Sequence, residues 1–301
     1  MPAAGPRPCV VIHTNDRQMI AALVSAHSLK SRSKHPELFD VRLLRQEETP
    51  ALYKHHRKKF IWWNGDAPSV WRKHDLQSFA PLRRIVPAML GFKGRALVLD
   101  PDVFAVGDVY ELLSRDMNGK AILCREKLER HNGQRQYASA VMLLDCERLT
   151  HWQWERDIDD IFALRKGLAW WISLMDEQPE RIGLFEDEWN DLDTLTDKTK
   201  LLHNTRILTQ PWKTGLPADF HEHAPVDLFS WERIERLARR TFGRDKKPRV
   251  FFGRHPDPRQ ENLFFTLLRE CVEQGSITTG MLRAAIRKKY LRRDALALLR
   301  Q

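Results

Sequence analysis

No stretch of this sequence approaches the run of about eighteen apolar residues that a membrane-spanning helix requires. Cysteine is scarce: Cys9, Cys124, Cys146 and Cys271 lie far apart and form no C-x-x-C pair. That argues against a disulfide framework or a zinc knuckle, and four reduced, mostly buried thiols are expected. Internal repeats and low-complexity tracts are absent, so solenoid and fibrous architectures are not indicated. The opening residues, MPAAGPRPCVVIHTND, lack a charged region followed by a long apolar run. Cytoplasmic residence is the expectation, with peripheral contact at the inner face of the membrane left open.

What is present is ordinary globular material. The 301 residues, 42% hydrophobic and 30% charged, are enough to bury a full core. The net charge of +10 is concentrated: residues 231–301 hold 18 Lys and Arg against 8 Asp and Glu, and the first 230 residues are balanced. A partner attracted by basicity would therefore meet the C-terminal segment. Anionic acceptors, phospholipid headgroups and nucleic acid are all compatible with it. No nucleic-acid-binding motif is recognised there, so no specific nucleic acid is expected.

Strand and helix patterns alternate along the chain. CVVIH (9–13), FDVRLL (39–44), KFIWW (59–63), RALVLD (95–100), KAILCRE (120–126) and YASAVMLLD (137–145) read as strands. Helical spacing occupies 17–29, 81–90, 108–115 and 147–175, and KLLHNT (200–205) reads as a late strand. The alternation predicts an α/β fold with a mixed, mostly parallel sheet flanked by helices. A loop from Pro211 to Pro225 suggests a catalytic domain over 1–225 and a basic, mainly helical extension over 226–301. Within that extension 230–241, 260–273 and 281–300 are expected to be helical.

Asp100 and Asp102 lie where a hydrophobic strand runs out, the end at which open α/β sheets bind ligands. Carboxylates at i and i+2 of an extended chain project to one side and can offer hard oxygens to one Mg²⁺ or Mn²⁺. The D-P-D sequence is equally good chemistry for a solvated turn.

The flanks favour the first reading. The run FAPLRRIVPAMLGFKGRALVLDPDVFAVGDVYELL (79–113) resembles the D-x-D region of glycosyltransferases related to glycogenin and bacterial lipopolysaccharide glucosyl- and galactosyltransferases. Arg83 or Arg84, Pro87, Gly94, Asp100, Asp102, Gly107 and Asp108 follow the family's order. About a hundred residues later, EWNDLDTLTDKTKLLHNTRILTQPWKTG (188–215) is similar to its closing E-W-N and H…P-W-K signatures.

The resemblance implies a GT-A-type nucleotide-diphospho-sugar transferase fold, a UDP-sugar donor and a Mn²⁺ or Mg²⁺ cofactor. It makes His203 the third metal ligand, although alone this residue reads more readily as a satisfied histidine at a strand end. Lys213 or a neighbour would face the donor phosphates, with Arg83 and Ser139 also at the donor. His13, Thr14 and Asn15 would contact base or ribose. Asp176 and Glu177, aligned loosely, would lie beside the anomeric carbon as the catalytic pair. Transfer would retain anomeric configuration, to a saccharide, lipid-linked or protein acceptor. Three positions depart from the family pattern: Ala138 replaces an Asn, Ala140 a Gly, and Arg206 a Gly. The alternative function is a non-catalytic protein of degenerate GT-A fold whose basic C-terminal segment binds nucleic acid or an anionic membrane. Most of the ten tryptophans, Trp62-Trp63 and Trp170-Trp171 among them, are expected to pack in or against the core.

Overall fold

The computed structural model describes residues 6–127, 133, 135–218 and 250–300. The helix expected over 230–241 and the domain boundary at 225/226 lie outside them.

The aliphatic runs form the centre of a six-stranded sheet of order β2-β1-β5-β8-β7-β9. Its strands are β1 (Cys9–Thr14), β2 (Asp40–Arg45), β5 (Arg95–Leu99), β7 (Ile122–Glu126), β8 (Tyr137–Asp145) and β9 (Ile182–Leu184). β1 pairs in parallel with both β2 and β5, and β7 with β9, whereas β8 runs antiparallel to β5 and β7. The sheet is mixed, as the alternation predicts. Burial on both faces explains why its strands read as continuous apolar runs rather than alternating ones: Val10, Val11, Ile12, Leu97, Val98, Leu99, Met142 and Leu143 are fully buried.

Among the described residues there are two smaller sheets. β3 (Lys59–Phe60) and β4 (Ser69–Val70) form an isolated hairpin, while β6 (Val103–Ala105), β10 (Asp191–Leu192) and β11 (Leu201–His203) form a three-stranded sheet of order β10-β11-β6. Helix α1 (Met19–Ser31) follows β1, and α2 (Trp154–Phe162) and α3 (Leu168–Ile172) lie between β8 and β9. The C-terminal part carries α4 (Pro258–Glu273), α5 (Thr279–Arg287) and α6 (Ala295–Leu298).

Several elements are shorter than their patterns predict. The KFIWW strand keeps two residues. The 147–175 stretch breaks between α2 and α3, where Leu164 turns at φ +63°. The helix expected over 281–300 breaks after α5, where Lys289 takes φ +60°. Of its expected apolar positions Leu282 is buried and Ile286, Leu296 and Leu299 are partly buried; Leu282, Ala285, Leu291 and Ala295 join Phe264, Phe265, Leu267, Leu268, Trp212 and Phe104 against Ile20, Ala21 and Val24 of α1. All four cysteines are buried and unpaired, as expected. Trp171 is fully buried, while Trp62 is 43% exposed.

Candidate metal centre

Strand pairing assembles the site. β5 ends at Leu99, the chain turns through Asp100-Pro101-Asp102, and β6 leaves antiparallel to β11 with Val103 opposite His203. Asn204 N–H donates to Asp102 O at 3.0 Å, closing that pairing beside the turn. Two carboxylates and an imidazole a hundred residues apart thus meet at one strand end. Their ligand atoms lie within 4.8 Å of one another, and all three residues are buried.

The donor set fits a divalent cation. His203 Nδ1 lies 2.8 Å from Asn190 Oδ1, which leaves Nε2 facing the aspartates, 3.5 Å from Asp102 Oδ1. Gln210 Nε2 donates to Asp102 Oδ2 at 2.8 Å, whereas Asp102 Oδ1 is buried with no hydrogen-bond partner among the described residues. Such a buried, unsatisfied carboxylate oxygen calls for a ligand. Hard oxygens with one imidazole suit Mn²⁺ or Mg²⁺.

Asp100 is held from the other side. Arg83 Nε donates to Asp100 Oδ1 at 3.0 Å and Nη2 to Oδ2 at 2.5 Å, while Nη1 reaches Ser139 Oγ at 3.1 Å. His13 Nε2 lies 2.6 Å from Asp100 Oδ1. Burial alone would raise the Asp100 carboxyl, but the Arg83 charge, with the His13 contact next, outweighs it and holds it well below the usual carboxylate range. For His203 burial works against the proton, yet Asp102 and Asp100 win and raise its pKa. His13 goes the other way: burial lowers its pKa despite Asp100.

Ser139 lies where the β7–β8 ladder slips between Cys124 and Arg125, with Arg125 pairing Ala138 directly after Cys124 pairs Met142. Such an irregularity re-aims side chains near a site. Lys213 is 4% exposed and its Nζ has no hydrogen-bond partner among the described residues. Burial, with the Arg17 charge second, pushes its pKa far below the ordinary lysine value, opposed by Asp102.

The other expected residues sit differently. Thr14 Oγ1 donates to Asn15 O. Asn15 Oδ1 accepts from the N–H groups of Arg17 and Gln18, and its Nδ2 donates to Asp75 O, Leu76 O and Ser78 Oγ. The Asn15 bonds shape the turn into α1.

Asp176 and Glu177, the expected catalytic pair, both face Arg84. Arg84 Nη1 grips both Asp176 oxygens at 2.7 and 2.8 Å, and Nη2 donates to Glu177 Oε1 at 3.2 Å. The guanidinium lies over the rings of Trp152 (4.3 Å) and Trp171 (4.8 Å). Glu177 also accepts from Trp152 Nε1 and sits 2.9 Å from His151 Nε2. Arg83 and Arg84, adjacent in sequence, therefore serve different carboxylates.

Asn190 and Gln210, which touch two of the three clustered residues directly, were not singled out from sequence. Their only signals are the E-W-N motif and the position before Pro211-Trp212-Lys213. Arg206, where the family pattern has Gly, takes φ −72°, which any residue adopts, so the backbone here does not require glycine. Trp189 and Trp212 inside the matched motifs are 2% and 1% exposed, so they are packing residues and not sugar platforms.

No protein-family profile matches the sequence, and no curated protein does. Among solved structures the chain is similar to the apo form of the bifunctional glycosyltransferase WbbM, with 11% identity, 71% of this chain and 48% of that one covered, and a TM-score of 0.49. It is similar to the apo form of GlyE from Streptococcus pneumoniae TIGR4, with 15% identity, 66% and 54% covered, and a TM-score of 0.45. For the galactosyltransferase LgtC in complex with donor and acceptor sugar analogs the values are 13%, 76% and 95%, and 0.47. The aligned region thus spans about half the length of WbbM and GlyE.

Proposed function

We propose that the protein is a metal-dependent glycosyltransferase of GT-A type. It moves a hexose from a nucleoside-diphosphate sugar, a UDP-sugar on the motif resemblance, to a hydroxyl of a saccharide, lipid-linked or protein acceptor, with retention of configuration. The observation that carries this reading is the convergence of Asp100, Asp102 and His203, from two separated motifs, into one buried ligand set.

These three residues would hold Mn²⁺ or Mg²⁺. Bound there, the cation would neutralise the diphosphate and stabilise the charge that grows on it as the sugar–phosphate bond breaks. Lys213 offers a buried, unpaired amine on the Asp102 side of the cluster, suited to a phosphate oxygen. Arg83, itself bonded to Ser139, holds Asp100, so this carboxylate is preorganised before any ligand arrives. With Asp176 and Glu177 bound to Arg84, no carboxylate nucleophile is assigned, and catalysis rests on positioning and electrostatic stabilisation. Residues 250–300 pack on α1 and Trp212, which supports treating the C-terminal extension as a buttress of the catalytic domain.

The test is hydrolysis or transfer from a panel of nucleoside-diphosphate sugars with Mn²⁺ or with EDTA. Asp102→Ala should abolish turnover in a protein that still folds. Turnover that survives both the substitution and chelation refutes the proposal.

A further inference from the structure

We infer that Asn190 and Gln210 are positioning residues of the cation site, Asn190 acting through His203 and Gln210 through Asp102; this rests on the cation-binding reading above. A neutral imidazole binds a metal through one nitrogen only if the proton resides on the other, and the partner of that second nitrogen fixes both tautomer and ring angle. Asn190 is fully buried, and its Oδ1 stands 2.8 Å from His203 Nδ1. An acceptor there keeps the proton on Nδ1 and turns the Nε2 lone pair toward Asp102.

The placement of Asn190 is itself well determined. It closes the single turn Asp187–Asn190, after which β10 pairs with β11, Leu192 standing opposite His203. Arg125, from β7, donates to Asn190 O at 2.8 Å. The E-W-N signature thus acquires a physical meaning, since its Asn carries the orientation of a metal ligand thirteen residues away in the chain.

Gln210 does the matching work on the carboxylate. Its Nε2 donates to Asp102 Oδ2 at 2.8 Å and to Asn204 O at 3.2 Å, so the Asp102 carboxylate is pinned by one oxygen and presents the other, Oδ1. Gln210 is in turn held by the turn that follows it: Arg292 Nη1 donates to Pro211 O at 3.2 Å, and the Arg292 backbone N–H to Trp212 O at 2.8 Å. The two amides aim Nε2 and Oδ1 at each other's neighbourhood, 3.5 Å apart.

Outer partners of this kind are worth about 10–100-fold in metal affinity. The experiment titrates Mn²⁺ alone into the full-length protein, reading free Mn²⁺ by electron paramagnetic resonance, beside melting curves taken without metal. Asn190→Leu keeps the branched shape of the side chain and Gln210→Leu a comparable bulk, and both lose the polar contact. Each should weaken Mn²⁺ binding by about 10–100-fold. Asn190→Asp retains an oxygen acceptor for Nδ1–H and should stay near wild type. Asn190→Ser, which removes the acceptor without apolar bulk, stands in if the leucine variant does not fold. Folded Asn190 and Gln210 variants that lower the melting temperature yet bind Mn²⁺ like wild type overturn the inference. Wild-type protein that binds no Mn²⁺ overturns the cation reading itself, and the inference with it.

Discussion

Replacing Arg84 with methionine should destabilise the protein strongly and in a pH-dependent way. The side chain of Arg84 is 2% exposed, and its guanidinium answers three acceptors: the Asp176 carboxylate, Glu177 Oε1 and Trp171 O. Methionine fills much of the space between Trp152 and Trp171 but neutralises nothing. Removing one partner of a buried ion pair costs about 3–5 kcal/mol, because the other charge is left uncompensated. Glu177 keeps Trp152 Nε1 and His151, so the exposed loss falls mainly on Asp176, whose side chain is 17% accessible. Partial access to water places the expected cost near the lower end, about 3 kcal/mol at pH 7.5. Burial already raises the Asp176 pKa while Arg84 opposes the rise. Without Arg84 the folded-state pKa climbs further above the unfolded value. A carboxyl of that kind binds its proton more readily folded than unfolded, so the variant regains stability as pH falls toward 5 and loses it as pH rises. Urea unfolding of both proteins at pH 5 and pH 7.5 measures this. A cost below about 1 kcal/mol at pH 7.5, or one that does not shrink at pH 5, refutes the reasoning.

Other outcomes follow from the same structure. His55, 1% exposed and stacked on Phe162 at 4.2 Å, has its pKa lowered to about 4 by burial, with Lys58 and Lys54 adding to the effect. Its folded pKa lies below the unfolded one, so unfolding takes up a proton as pH falls from 6.5 to 4. Wild-type stability should drop across that window by up to about 3 kcal/mol, and His55→Phe should flatten that part of the pH profile. Gly167→Ala should cost about 1–3 kcal/mol in chemical denaturation, since its Cβ would lie 2.8–2.9 Å from the backbone of Trp62, Trp63 and Asn64. Burial pushes the Cys146 thiol up to about 12 and Cys271 up to about 11, so a thiol reagent at pH 8 should label none of the four cysteines until the protein unfolds. If the basic extension binds anionic vesicles, neutralising the exposed Arg283, Arg287, Lys289 and Arg293 to Gln should abolish salt-sensitive binding at unchanged melting temperature. Deleting 278–301 would instead remove Leu282, Leu291 and Ala295 from a core and confuse the two effects.

The central strands were legible because fully buried β-strands read as uninterrupted aliphatic runs, and RALVL and YASAVMLLD begin where expected. The D-x-D pair and His203 were legible as residue types in two motifs. Their meeting was implied by the family resemblance and not by periodicity, because it depends on the pairing of β6 with β11, and three-residue strands such as VFA and LLH carry too little pattern to announce a partner. The partner of Asp176 and Glu177 was hidden for a related reason. A carboxylate in a sequence looks the same whether it faces substrate or Arg84, and only packing between Trp152 and Trp171 reveals which. Asn190 and Gln210 escaped notice because uncharged amides acting through another side chain leave no charge pattern. The break after α5 was hidden by a basic stretch whose Leu and Ile spacing stays nearly helical through a residue of positive φ.

The most direct test of the central claim compares the melting temperatures of wild type and Asp102→Ala in UDP, in Mn²⁺, and in both. If Asp100, Asp102 and His203 hold a cation against a diphosphate, wild type should be stabilised by about 2.7 kcal/mol when UDP is present at a hundred times its dissociation constant with Mn²⁺. UDP without metal should stabilise it far less, and the variant should show no metal-dependent gain. Equal stabilisation of both proteins, or none in wild type with any nucleoside diphosphate and Mn²⁺, would contradict the account.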